Sequence, residues 1–129
     1  MREHEPTIVV VDDDASVRRG LARLLRSAGY RAETFVSARE FLARGAGDSP
    51  ACLVLDVRMP GLSGLDLHEV LVREGHAVPV VFITGHGDVP LAGRAVKADA
   101  VDFLAKPVDG HALLGAVARA LAQSQRGAA

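Results

Sequence analysis

The chain has a single cysteine, Cys52, so no disulfide can form within it, and a reducing compartment suits it. Lysine is nearly as scarce. Of 15 basic residues only Lys97 and Lys106 are lysines, which makes each worth separate attention. No apolar run approaches the ~18 residues that a membrane span needs. The start, Met1-Arg2-Glu3-His4-Glu5-Pro6, carries too much charge for a signal peptide. A net charge of −1 leaves no general footprint for nucleic acid. These absences point to a soluble cytoplasmic domain. What is present is a chain of 129 residues, 49% hydrophobic, which is enough for one domain with a sizeable core.

The periodicity alternates between two kinds. Thr7 to Val11 is a β-branched run, apolar on both sides, that stops at Asp12-Asp13-Asp14. Such a run belongs in the middle of a parallel sheet covered on both faces. Val17, Leu21, Leu24, Leu25 and Ala28 then mark one face of a helix, with Asp14 as N-cap, Gly29 as stop, and Arg18, Arg19, Arg23 and Arg26 on the other side. Arg31 to Val36 alternates more and suits a strand near the sheet edge. Ser37 and Glu40 have capping-box spacing for a short helix.

A third strand, Cys52 to Leu55, delivers Asp56 at its end, where Arg58-Met59-Pro60-Gly61 turns the chain. A helix with Leu67, Val70 and Leu71 inward follows. Val78 to Ile83 is the fourth strand, ending at Thr84. Asp88 and Pro90 open a helix through Lys97. Val101 to Ala105 is the fifth strand, ending at Lys106-Pro107, and Asp109 caps a last helix carrying Leu113, Val117, Ala120 and Leu121 inward. Residues 123–129 show no periodicity and suggest a tail or the start of a linker after a domain of residues 1–122.

Five β-then-α units with short connections define an open, doubly wound α/β sheet. Ligands of such sheets bind beyond the carboxyl ends of the strands. There the first strand offers Asp12, Asp13 and Asp14, the third Asp56, the fourth Thr84 and the fifth Lys106. Asp14 is best read as the helix cap. Two carboxylates ~4 Å apart repel by ~4 kcal/mol at an effective dielectric of ~20, so a cluster of three requires a cation or a proton. Magnesium suits oxygen ligands of this kind. A lysine and a hydroxyl beside a carboxylate nucleophile add the charge neutralisation that phosphoryl transfer needs.

These residues resemble those of bacterial response-regulator receiver domains, close to the FixJ-like branch of transcriptional regulators. The likeness runs from about Ile8 to Leu121. It rests on Asp12-Asp13, on Leu55-Asp56-Val57-Arg58-Met59-Pro60-Gly61, on Phe82 through Pro90, and on Val101 through Pro107. The resemblance implies a flavodoxin-like (βα)5 fold, three layers deep, with five parallel strands in the order 2-1-3-4-5. It implies a phosphoacceptor at Asp56, and Mg2+ or Mn2+ held directly by Asp13 and Asp56 and the carbonyl of Arg58, with Asp12 acting largely through water. Thr84 and Lys106 would hold phosphoryl oxygens, Phe103 would change rotamer as Thr84 moves, and the Lys106-Pro107 bond would be cis. The donor would be a sensor histidine kinase docking on the arginine face of the first helix. The consequence would be a homodimer through the 88–97 helix and the fifth strand, and control of a DNA-binding output domain beyond residue 122.

Two residues depart from that pattern. Asp99 stands where glycine is common, and Gly93 removes a side chain from the expected dimer surface. Gly93 also lies inside the 88–97 helix, at a cost of ~1 kcal/mol against alanine, so this helix is expected to be the least stable of the long ones and to carry the switch. Cys52 is expected in the core. The five histidines lack metal-ligand spacing, and only His86 falls near the site, where it could influence water access. Three other readings compete. A magnesium-dependent phosphatase of haloacid-dehalogenase type wants a second acid where Arg58 stands. A flavodoxin-like cofactor module would need a phosphate-binding loop where the three aspartates stand. A receiver acting only as a protein-binding module would have no need of the complete set of five site residues.

Overall fold

The structure, a computed structural model, describes residues 6–44, 50–85 and 99–128, with side chains described through residue 123. Strands β1 (Thr7–Val11), β2 (Arg31–Phe35), β3 (Cys52–Asp56), β4 (Val80–Thr84) and β5 (Asp102–Ala105) form one parallel sheet in the order β2-β1-β3-β4-β5. Helices α1 (Ala15–Ser27), α2 (Ala38–Ala43), α3 (Gly64–Arg73) and α4 (Gly110–Ala128) connect or follow them. The helix expected over 88–97, with Gly93 and His86, lies outside the described residues.

Strand side chains alternate between faces, so a run that is apolar throughout feeds two cores at once. Ile8, Val10, Cys52, Val54, Val81 and Ile83 face Leu21 and Leu25 of α1 and Leu113 and Val117 of α4. Val9, Val11, Leu53, Leu55 and Phe82 face Phe41 of α2 and Leu67 and Leu71 of α3. The result is the expected three-layer α/β/α arrangement. Strand β2 carries only half-buried and exposed side chains, as its alternating sequence and its edge position require.

The helix ends follow their caps. Asp14 accepts the N–H groups of Ser16 and Val17, Ser37 accepts that of Glu40, and Asp109 accepts that of Ala112. Gly29, at φ +94°, lets Tyr30 donate back to the carbonyl of Leu25 at 3.1 Å. Asp99 adopts φ +60°, a left-handed conformation that aspartate tolerates better than most residues, and the Lys106-Pro107 bond is cis.

Some expectations shift. β4 starts at Val80 rather than Val78, because Pro79 has no N–H to place in the ladder, although its carbonyl accepts from Leu53 at 2.9 Å. Ala28, expected inward, is exposed at the unwinding end of α1, and Ala22 is buried instead. Val70 is only half-buried, whereas Leu65 and His68 of α3 are buried. Residues 123–128, expected as an aperiodic tail, continue α4 as helix.

Candidate functional site

Strand register brings the chemistry together. Val11 pairs with Leu55, so Asp12 and Asp56, each one residue further along, end adjacent strands at one level. Ile83 pairs with Asp56 and Thr84 with Ala105, which places Thr84 and Lys106 at the same edge of the sheet. The carboxylate oxygens of Asp12, Asp13 and Asp56 come within 4.8 Å of one another. Asp12 is fully buried and Asp56 only 3% exposed, while Asp13 reaches solvent.

Lys106 projects its ammonium between the two buried acids, 3.0 Å from Asp12 Oδ2 and 3.3 Å from Asp56 Oδ2. Asp56 Oδ1 accepts the backbone N–H of Arg58 at 3.2 Å, and Asp12 Oδ1 accepts that of Asp14 at 2.8 Å. Among the described residues no donor reaches the buried Asp12 Oδ2 with hydrogen-bonding geometry, so the ion pair with Lys106 is its described compensation. Among the described contacts the Lys106 ammonium pairs with two of the three carboxylates, those of Asp12 and Asp56. Each pair of carboxylates ~5 Å apart repels by about 3 kcal/mol at an effective dielectric of ~20. The set is thus short of positive charge and rich in hard oxygen donors, which suits a divalent cation.

Burial raises the Asp56 carboxyl to about 6 from 3.8, and repulsion by Asp12 adds to this against the opposing pull of Lys106 and the Arg58 N–H. Burial alone would lower Lys106, but its close pairing with Asp12 and the charges of Asp56 and Asp12 hold it above its ordinary value. Thr84 is buried, with Oγ1 3.4 Å from the Gly85 carbonyl oxygen to which it donates, and its own carbonyl accepts the Lys106 N–H at 2.7 Å. Phe103 is half-buried in β5, paired with Phe82 and packed against the core between the sheet and α3.

The raised Asp56 value has a consequence for stability. The folded chain binds that proton more tightly than the unfolded chain does, so the contribution is fully present below pH ~4 and is lost as pH rises through about 6. A shift from 3.8 to about 6 corresponds to about 3 kcal/mol at most. In chelator, Asp56→Asn should therefore melt several degrees above the unaltered chain at pH 7.5, with the gap closing toward pH 4. A gap that does not vary between pH 4 and 7.5 would exclude this origin.

Sequence reasoning missed two contributors to the site and one buried histidine in α3. Arg18, expected on a solvated or docking face, instead donates from Nη1 to the carbonyl of Asp12 at 2.8 Å. Gly64 lies so close beneath the main chain of Asp56 that no Cβ fits. His68 packs edge-on to Phe82 at 5.9 Å, and burial lowers its pKa, leaving it a core side chain. The arginine signal was available in principle. Helical side chains lean toward the N-terminus, so a long one in the second turn can reach the preceding loop. Cys52 is buried in the core as expected, and burial pushes its thiol up to about 12.

A family model for the response regulator receiver domain matches residues 8–118. Nodulation protein W of Bradyrhizobium diazoefficiens is 50% identical over 119 residues, which are 92% of this chain and 52% of that protein. The transcriptional regulatory protein FixJ of Azorhizobium caulinodans is 48% identical over 115 residues, 89% of this chain and 54% of that one. The solved structure of the response regulator StyR is similar with a TM-score of 0.87 at 50% identity, covering 95% of this chain and 62% of the other. The chain spans about half the length of the curated relatives it matches.

Proposed function

This chain belongs to the response regulator receiver domain family of two-component systems, and on that premise we propose that Asp56 is its phosphoacceptor. A carboxylate oxygen of Asp56 bonds to phosphorus as the bond from phosphorus to the donor breaks. With a phosphohistidine donor the electron pair leaves on the imidazole nitrogen, which takes a proton from solvent, and an aspartyl phosphate results. The observation that carries this reading is a nearly buried nucleophile ending a central strand, flanked by a lysine 3.3 Å away and by two further acids within 4.8 Å.

Lys106 and Thr84 neutralise and orient the phosphoryl oxygens, work that supplies most of the catalysis in phosphoryl transfer. The carboxylates of Asp12, Asp13 and Asp56 and the carbonyl of Arg58 are the groups that would hold Mg2+ or Mn2+, which when bound draws charge off the transferring group. The doubly charged phosphoryl group then biases Thr84 and Phe103, and through them the β5 face, toward a homodimer. The donor is a sensor histidine kinase. The protein works in the cytoplasm, and residues 123–129 lead from the receiver toward a DNA-binding output domain. Slow attack of water on the aspartyl phosphate resets the state. Among the described residues no helix is long and apolar enough to cross a membrane.

Incubation with acetyl phosphate and magnesium should add one phosphoryl group, detected by intact mass, and Asp56→Asn should take up none. Continuous turnover of a free phosphoester would favour a phosphatase instead. No uptake from acetyl phosphate or a phosphorylated kinase would favour a binding module.

A further inference from the structure

Four arginines line α1 after the acidic turn, and they are not equivalent. Arg19 and Arg23 are exposed. Arg26 donates to the carbonyl of Ala32 and ties the far end of the helix to β2. Arg18 is half-buried and reaches back six residues to the carbonyl of Asp12. A cation this early in a helix opposes the positive end of the helix dipole. Its position therefore needs a compensating partner, and the acidic turn provides one.

The contact is specific in what it leaves open. Arg18 bonds to the main-chain oxygen of Asp12 and, among the described residues, to no carboxylate, so it adds positive charge beside the acids without occupying a donor oxygen. Asp12 is then held at several points. Its N–H donates to Phe35 at 3.2 Å, its carbonyl accepts from Arg18 at 2.8 Å, its Oδ1 accepts from Asp14 at 2.8 Å, and its Oδ2 faces Lys106 at 3.0 Å. The carbonyl that Arg18 grips belongs to the peptide unit joining Asp12 to Asp13. Rotation of that unit would swing the Asp13 carboxylate away from Asp56.

We propose that Arg18 is a positioning residue for the cation site, clamping the Asp12-Asp13 peptide so that both carboxylates face Asp56. The role rests on the functional reading above only in taking Asp12, Asp13 and Asp56 as the cation ligands.

The test is titration of the purified chain with Mn2+ alone by calorimetry, accompanied by thermal melts in chelator. Arg18→Met keeps the apolar stem and removes the donor. It should weaken Mn2+ binding about 10-fold, the scale seen when a group orienting metal ligands is lost. Arg18→Lys, which can still donate to one carbonyl, should recover most of the affinity, and Arg23→Met should match the unaltered chain. A merely structural role would lower the melting temperature of Arg18→Met while its folded form bound Mn2+ unchanged, and that result overturns the proposal. Equal loss in Arg18→Lys and Arg18→Met also overturns it. If the unaltered chain binds Mn2+ but takes no phosphoryl group from acetyl phosphate, the phosphoacceptor reading fails while the role of Arg18 stands on the affinities.

Discussion

Lys106→Met should slow phosphoryl uptake from acetyl phosphate by roughly 100- to 1,000-fold, the usual scale for removing one donor aimed at developing charge. The same substitution should tighten Mn2+ binding. Both follow from where the ammonium sits, 3.0 Å from Asp12 and 3.3 Å from Asp56, on oxygens that a metal would also use. In the metal-free chain Lys106 is the cation that makes two buried carboxylates tolerable. Once it is gone, Asp12 and Asp56 face each other with their repulsion uncompensated. Removing one partner of a buried ion pair typically costs about 3–5 kcal/mol. Here the loss should shrink as pH falls toward about 6, because without Lys106 the Asp56 carboxyl takes up a proton more readily than in the unaltered chain. The metal-free variant should thus be markedly less stable at pH 7.5 and recover on acidification or on adding Mn2+. Time courses of uptake by intact mass, with melts in chelator and in Mn2+, read all three effects. An unchanged uptake rate would remove Lys106 from the transfer step.

The acids and the lysine were legible because this fold writes its site at strand ends. A strand covered on both faces must stay apolar for its whole length, so the first charge marks where it leaves the sheet. Val11-Asp12 and Leu55-Asp56 show this twice, and their pairing in the sheet makes the two stops coincide. Caps were legible for a related reason, since Asp14, Ser37 and Asp109 act on N–H groups only a few residues away. Pro79 and Ala28 escaped because strand and helix ends depend on which backbone groups find partners, which hydrophobic spacing does not report. Residues 123–128 escaped because a helix already packed through Leu113 and Val117 can propagate without a hydrophobic pattern of its own. The contact of Arg18 could be reached from the second turn of α1, but composition alone did not show it. An arginine on a polar helix face looks the same whether its guanidinium is in water or on a carbonyl.

Gly64→Ala should both destabilise the chain and impair phosphoryl uptake, although Gly64 bears no chemistry. It is the first residue of α3, just after Ser63, whose Oγ accepts the Asp66 N–H at 3.0 Å while Asp66 Oδ2 accepts the Ser63 N–H at 3.2 Å. That reciprocal cap fixes the start of the helix against the end of β3, and the Gly64 N–H adds a bond to the carbonyl of Val57 at 3.2 Å. A Cβ at Gly64 would run into the carbonyl oxygen of Asp56, and would lie 3.0 Å from its carbonyl carbon and 3.1 Å from Leu55 Cβ. These are atoms of a fully buried central strand, so no flexible side-chain tip can move aside. Either α3 lifts or the end of β3 shifts. Overpacking of this kind costs about 1–3 kcal/mol and sometimes more. A displacement of the nucleophile by ~1 Å is enough to reduce transfer by roughly 100-fold. Gly20→Ala provides the contrast. It lies within α1 with nothing within 4 Å of the added Cβ, and should stabilise by roughly 0.5–1 kcal/mol through helix propensity. Urea midpoints moving in opposite directions for the two alanines, with uptake falling only for Gly64→Ala, would locate the constraint at the backbone beneath Asp56. If Gly64→Ala takes up phosphoryl groups at the unaltered rate, the end of β3 tolerates the intrusion and the nucleophile is held by its side-chain partners alone.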